Sequence, residues 1–203
     1  MFRRLFIRIR FRLLRIFTKK GKRDAIYLTF DDGPEPGITE FVLDTLKEYG
    51  YQASFFCVGE NALRYPKLIS RILEEGHALG SHTFSHANSF SMDSQQYMAE
   101  VRRGAAELNT LLFRPPWGSL SIRKAFRLKR DGFKIYLWDM VSHDTEREMF
   151  DCEASFAEMK RRTRNGSIVL FHFCTRHEEE TRRILPLYLA FLKEKGLICR
   201  KLE

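Results

Sequence analysis

The sequence predicts an α/β fold, a mainly parallel sheet or barrel with helices outside it, on three observations. Short apolar runs rich in β-branched and aromatic residues alternate with helix-length segments. Glycine follows four of those segments, where a left-handed cap closes a helix. The chain has 203 residues, 44% of them hydrophobic and 13% aromatic, which is one domain's worth of globular protein. It carries no internal repeat, low-complexity tract or linker.

The strands expected are Ala25–Phe30, Ala53–Val58, Phe133–Trp138 and Ile168–Phe171, each ended by turn residues. Helices are expected over Thr39–Tyr49, Pro66–Glu75, Ser94–Leu108, Ser121–Lys129, Glu153–Arg162 and Arg183–Lys195. In the first of these, Phe41, Val42, Leu46 and Tyr49 recur at spacings of three and four, so one face is buried. Gly50, Gly76, Gly132 and Gly196 are the capping glycines.

Charge is unevenly placed. The formal net charge is +9, yet residues 1–23 hold ten basic side chains and no acid, and the remaining 180 residues sum to −1. Basicity confined to a tail argues against a nucleic-acid-binding body, whose positive surface should be spread over the fold. The reading therefore divides the chain into a basic amphipathic segment, 1–23, and a folded domain, 24–203. Phe2, Leu5, Phe6, Ile9, Leu13, Ile16 and Phe17 fit one face of a helix. Residues 1–20 are read either as a helix lying on an anionic membrane surface or as an element packed on the domain. Arg interrupts every apolar run there, so neither a secretory signal nor a membrane-spanning helix is expected. Cys57, Cys152, Cys174 and Cys199 are too few and scattered for a disulfide framework. A reduced compartment, cytoplasmic or peripheral at the membrane, is the expected location.

Four sequence motifs carry chemistry. Thr29-Phe30-Asp31-Asp32-Gly33-Pro34 puts two carboxylates at a strand end. They are either a helix cap beside a hydrated acid, or a metal ligand beside a free base, since a cation would neutralise one of them. His82 and His86, four apart, would project two imidazoles to one side of a helical turn, a spacing that grips one ion. Thr83 rather than Glu follows His82, so this is not the His-Glu-x-x-His of zincins. Arg114-Pro115-Pro116-Trp117-Gly118 fixes a loop bearing a guanidinium that could orient a carboxylate and a ring that could face a sugar. His172, after Leu170-Phe171, ends a strand so apolar that its head must face a cavity or a partner. His77, His143 and His177 have no such company and are read as structural or surface residues.

In order and spacing these motifs resemble the polysaccharide deacetylases of the NodB-like family, carbohydrate esterase family 4, from about Asp24 to the C-terminus. The resemblance implies a distorted, seven-stranded (β/α) barrel and a metal-dependent hydrolase removing acetyl groups from N-acetylated sugars. By position, Asp31 corresponds to the catalytic base, and Asp32, His82 and His86 to the ligands of a divalent metal, usually zinc. Arg114 corresponds to the residue holding the base and the Trp117 N–H to an oxyanion donor, with Pro116 beside it at the substrate. His172 corresponds to the catalytic acid and Leu170 to the lining of the acetyl pocket.

Two departures stand out. The family commonly has Asp-x-x-Asp-Trp, its first Asp supporting the acid, where this chain has Val141-Ser142-His143-Asp144-Thr145. Many members have Asp after the catalytic His, and here it is Phe173. Either Asp139 or Asp144 is expected to replace the missing support, with Asp139 preferred because side chains two apart on a strand share a face. The substrate expected is an N-acetylated carbohydrate, peptidoglycan- or chitin-like. The alternatives are a deacylase of a small amide, with a closed pocket in place of a groove, and a catalytically weak carbohydrate-binding or membrane-associated relative.

Overall fold

The computed structural model describes residues 18–22 and 24–203. Residues 1–17, most of the basic amphipathic segment, lie outside the described residues. The strands are β1 (Thr18–Lys19), β2 (Tyr27–Asp31), β3 (Ala53–Cys57), β4 (Ala78–Ser81), β5 (Leu112–Phe113), β6 (Lys134–Tyr136), β7 (Met140–Val141) and β8 (Ile168–His172). The helices are α1 (Ile38–Tyr49), α2 (Gly59–Arg64), α3 (Pro66–Glu74), α4 (Ser94–Glu107), α5 (Ile122–Arg130), α6 (Cys152–Arg162) and α7 (Glu178–Glu194).

Among the described residues all strand pairs are parallel, in the order β1-β6-β5-β4-β3-β2-β8-β7. Seven strands, β2 to β8, form the curled half-barrel that the family resemblance implies. The two-residue β1 joins its edge beside β6.

Strand alternation sorts side chains between two layers. Leu28 and Phe30 of β2, Phe55 and Cys57 of β3, and Val169 and Phe171 of β8 pack outward against α1 and α7 in the main core. Tyr27, Phe56 and Ile168 point inward with Tyr136 and Leu202. A strand buried on both faces has no polar side to show, which is why β2 and β3 are buried along their whole length. The inward face of β2 continues as Thr29 and Asp31, so its polar residues enter the interior of the half-barrel.

Most helices begin and end where the sequence places them. Asp93 caps α4 by accepting the N–H groups of Gln95 and Gln96, and Gly50 ends α1 at φ 67°. Two differences matter. Helix α7 starts five residues before the expected Arg183, because Glu178, Glu179 and Glu180 fill its first turn, where acidic groups favour the positive end of the helix dipole. Strands β4, β5 and β7 are too short, or too poor in β-branched residues, to leave a strand signal in the sequence. Among the described residues no helix is long and apolar enough to cross a membrane.

Candidate active site

The C-terminal ends of the parallel strands build the site, the end at which α/β sheets bind ligands. Asp31 ends β2, His172 ends β8, and the two are register partners. Their side chains therefore leave the sheet on one face. His82 directly follows β4 and Arg114 directly follows β5. Asp31, Asp32, His82, His86 and His172 line one cavity of about 470 Å³, walled by Trp117, Trp138, Val141 and Leu170.

Asp31 is held from beneath. Its Oδ1 accepts Arg114 Nη1–H at 2.7 Å, and both side chains are almost wholly buried. Arg114 is in turn fixed by Thr29 Oγ1 at 2.8 Å and by the Tyr136 carbonyl at 3.3 Å. Its guanidinium carbon stands 4.2 Å over the Phe56 ring. A buried pair of this kind is costly to break from one side, because the survivor keeps an uncompensated charge. Arg114 thus leaves Asp31 one oxygen free, and that Oδ2 lies 3.8 Å from His82 Nε2.

Asp32 stands at φ 83°, a left-handed conformation rare outside glycine. Its Oδ1 lies 3.4 Å from His82 Nε2 and 3.2 Å from His86 Nε2. The Nδ1–H of His82 donates to the Arg114 carbonyl at 2.8 Å, which fixes the tautomer and leaves the Nε2 lone pair for a ligand. Burial lowers the His82 pKa and so favours the neutral ring that a metal requires. Burial opposes ionisation of Asp32, but the His86 hydrogen bond and the charges of His82 and His172 outweigh it and hold the carboxyl well below the usual range. Two imidazoles and a carboxylate, with donor atoms within 4.8 Å of one another, fit one divalent cation with coordination positions to spare.

The two histidines do not converge through a helical turn, as the spacing of four suggests. Residues 82–86 form a bend, with Thr83 at φ 69° and His86 at φ 54°. One face of α4 moulds this bend. Glu100 accepts Ser85 N–H at 2.9 Å, Arg103 covers the Phe84 ring at 3.4 Å, and a Cβ on Gly104 would lie 2.6 Å from the Thr83 carbonyl carbon.

His172 has a partner the sequence reading ranks second. Its Nδ1–H donates to Asp144 Oδ1 at 2.8 Å, and its backbone N–H donates to Asp144 Oδ2 at 2.7 Å. Thr181 Oγ1 adds a hydrogen bond to the same oxygen at 3.1 Å. Asp139, the preferred candidate, is not the support. It precedes β7, so the two-residue alternation does not extend to it, and its Oδ2 accepts the Ile168 N–H at the far end of β8. Burial works to lower the His172 pKa, but Asp144, then Asp32 and Asp31, raise it to about 9.

Other expectations resolve individually. Trp117, 59% exposed at φ 55°, forms the rim of the cavity with its ring 4.4 Å from that of His86. Pro116 is buried in the turn that carries Trp117 and is not among the residues lining the cavity. Phe173 turns away into the core, 5.1 Å from the Phe55 ring. His77 is structural, its Nδ1 accepting Ala53 N–H at 3.1 Å. His143 lies at the cavity mouth, paired with Glu146 at 2.7 Å. His177, read as structural or surface, instead lines the cavity with its ring 5.5 Å from that of His172.

The sequence pattern of the polysaccharide deacetylase family matches residues 18–136. A peptidoglycan-N-acetylglucosamine deacetylase of Bacillus cereus is 31% identical over 176 residues, covering 84% of this chain and 83% of the relative. A chitooligosaccharide deacetylase of Azorhizobium caulinodans is 30% identical over 157 residues, 74% of each protein. Among solved structures, a peptidoglycan N-acetylglucosamine deacetylase in complex with 4-naphthalen-1-yl-N-oxidanyl-benzamide has a TM-score of 0.85 at 27% identity, covering 91% of this chain and 90% of that one. The match to the family pattern, the identity with these relatives and the shared half-barrel make the chain a member of the polysaccharide deacetylase family, carbohydrate esterase family 4.

Proposed function

We propose that this polysaccharide deacetylase hydrolyses the N-acetyl group of amino-sugar residues in a peptidoglycan- or chitin-like poly- or oligosaccharide, with a divalent metal, zinc, held by Asp32, His82 and His86. The observation that carries the reading is the in-register pair Asp31 and His172, one locked by Arg114 and the other by Asp144, lining one cavity with the Asp32 carboxylate. Relatives named for activity on peptidoglycan N-acetylglucosamine and on chitooligosaccharide support the substrate class. An exposed Trp117 at the rim suits a sugar ring of a chain that extends beyond the cavity, and this favours a polymer over a small amide.

When bound, such a metal polarises the acetamide carbonyl and acidifies a water molecule toward neutral pH. Arg114 holds Asp31 so that its free Oδ2 takes the proton of the attacking water. The backbone N–H of Trp117 donates to the oxyanion of the tetrahedral carbon. Asp144 keeps His172 protonated and in one tautomer until Nε2–H delivers its proton to the departing amine. Leu170 and Val141 give the acetyl methyl an apolar wall.

The test is acetate release from chito-oligosaccharides and from peptidoglycan fragments, with chelator and after restoring zinc. Release that chelator abolishes and zinc restores in wild type, but not in His82→Ala, is the expected result. Undiminished zinc content in His82→Ala by elemental analysis would remove the ligand assignment.

A further inference from the structure

Asp32 belongs to a second convergence of donor atoms. Its carboxylate, the Cys174 thiol and the His177 imidazole each place one ligand atom within 4.8 Å of the others. Neither Cys174 nor His177 has a part in the hydrolysis described above. Cys174 immediately precedes the 3₁₀ turn Thr175–His177. The His177 N–H donates to the Cys174 carbonyl at 3.1 Å, which closes the turn and holds the two residues together. His177 is 7% exposed, and its Nδ1 is buried without a hydrogen-bond partner among the described residues. Buried polar atoms are almost always satisfied, so an orphaned nitrogen on a ring that stands beside a thiol and a carboxylate marks a place for a ligand.

We propose that Asp32, Cys174 and His177 form a second metal site, selective for thiophilic divalent ions, whose filling inhibits the enzyme. Sulfur decides the selectivity. The Asp32–His82–His86 set offers only nitrogen and oxygen, whereas a thiolate with an imidazole and a carboxylate suits zinc and, more strongly, the softer cadmium. Binding breaks the Cys174 S–H bond, forms a sulfur–metal bond and releases the proton to solvent. Asp32 and His177 both line the cavity, which gives the ion its path inward. An ion seated there, with its remaining water ligands, occupies space that the acetamide must enter and draws on the same Asp32 carboxylate. The inhibitory half of the proposal rests on the deacetylase reading; the site itself does not.

The experiment titrates cadmium chloride into the zinc-loaded full chain while following ultraviolet thiolate-to-cadmium absorption and, in parallel, acetate release. Wild type is expected to develop the absorption to one equivalent and to lose activity over the same range. Cys174→Ser is expected to keep the wild-type rate without cadmium, to show no absorption, and to need about tenfold or more cadmium for equal inhibition, the scale on which disturbing a metal's surroundings weakens binding. His177→Ala should weaken the absorption titration without abolishing the thiolate signal. Absence of the band in wild type overturns the site, as does an equal band in Cys174→Ser, which would place the metal on Cys57, Cys152 or Cys199. Equal inhibition of both proteins overturns the inhibitory role, because cadmium would then act at the histidine pair. If no variant releases acetate, the deacetylase reading fails while the absorption still decides the site.

Discussion

The two walls of the cavity are built differently. On the β2, β4 and β5 side, each functional residue ends a strand or lies within a few residues of its end, and Arg114 ties Asp31 to the Tyr136 backbone while its carbonyl fixes His82. On the β7 and β8 side, His172 ends a strand, but the residues that hold it do not. Its support comes from Asp144, three residues past β7, and from Thr181 in the first turns of α7. The first wall is positioned by the sheet; the second is positioned by loops that the sheet merely starts. The wall that holds the base should therefore be rigid and unforgiving, and the wall that holds the acid should be tunable.

The largest expected effect is on the first wall. Asp31→Asn should lower turnover by roughly 10²–10⁴-fold, the scale for losing a general base. Elemental analysis should find its metal content unchanged. Loss of metal in Asp31→Asn with retention in Asp32→Asn would exchange the two roles. Arg114→Met comes next: it leaves a buried carboxylate unpaired and should cost about 3–5 kcal/mol in urea denaturation. The double variant Asp31→Asn, Arg114→Met should recover much of that loss, and failure to recover would mean that the pair is not what stabilises this wall.

The second wall is probed by pH. A general acid works only while protonated, so activity falls as pH rises through its pKa. Because Asp144 holds His172 up to about 9, Asp144→Asn should move the alkaline limb of the pH–rate profile to lower pH by roughly one to three units. Asp139→Asn should leave that limb in place. A limb that ignores both substitutions would detach it from His172. The smallest effect is expected from Gly104→Ala, where a methyl group would meet the Thr83 backbone. It should cost about 1–3 kcal/mol in thermal denaturation and weaken metal binding through the displaced bend.

The same division explains what the sequence makes legible. Asp31, Asp32, His82, Arg114 and His172 belong to short motifs at strand ends, where residue type, order and neighbouring Gly or Pro point to a cavity. Their partnership with a parallel sheet follows from strands buried on both faces. Asp144 is harder to read, because its approach to His172 depends on the path of a loop after a two-residue strand. His177 escapes notice for a related reason: its neighbours are set by a 3₁₀ turn whose residues show no periodic pattern. For His82 and His86 the convergence is legible but its geometry is not, since left-handed residues, rather than a helical turn, bring them together.

The chain contains two tryptophans, and Trp117 and Trp138 both line the cavity. The intrinsic indole emission of the protein is therefore entirely an active-site signal. Trp117 at the exposed rim should emit at longer wavelength than Trp138, which lies deeper and 5.7 Å from the Arg114 guanidinium. Because the Trp117 ring packs edge-on against His86, an ion or a sugar arriving there changes the quenching of its nearest fluorophore. Occupancy of the cavity can thus be followed optically in the unlabelled wild-type protein, with Trp117→Phe reporting the inner wall alone.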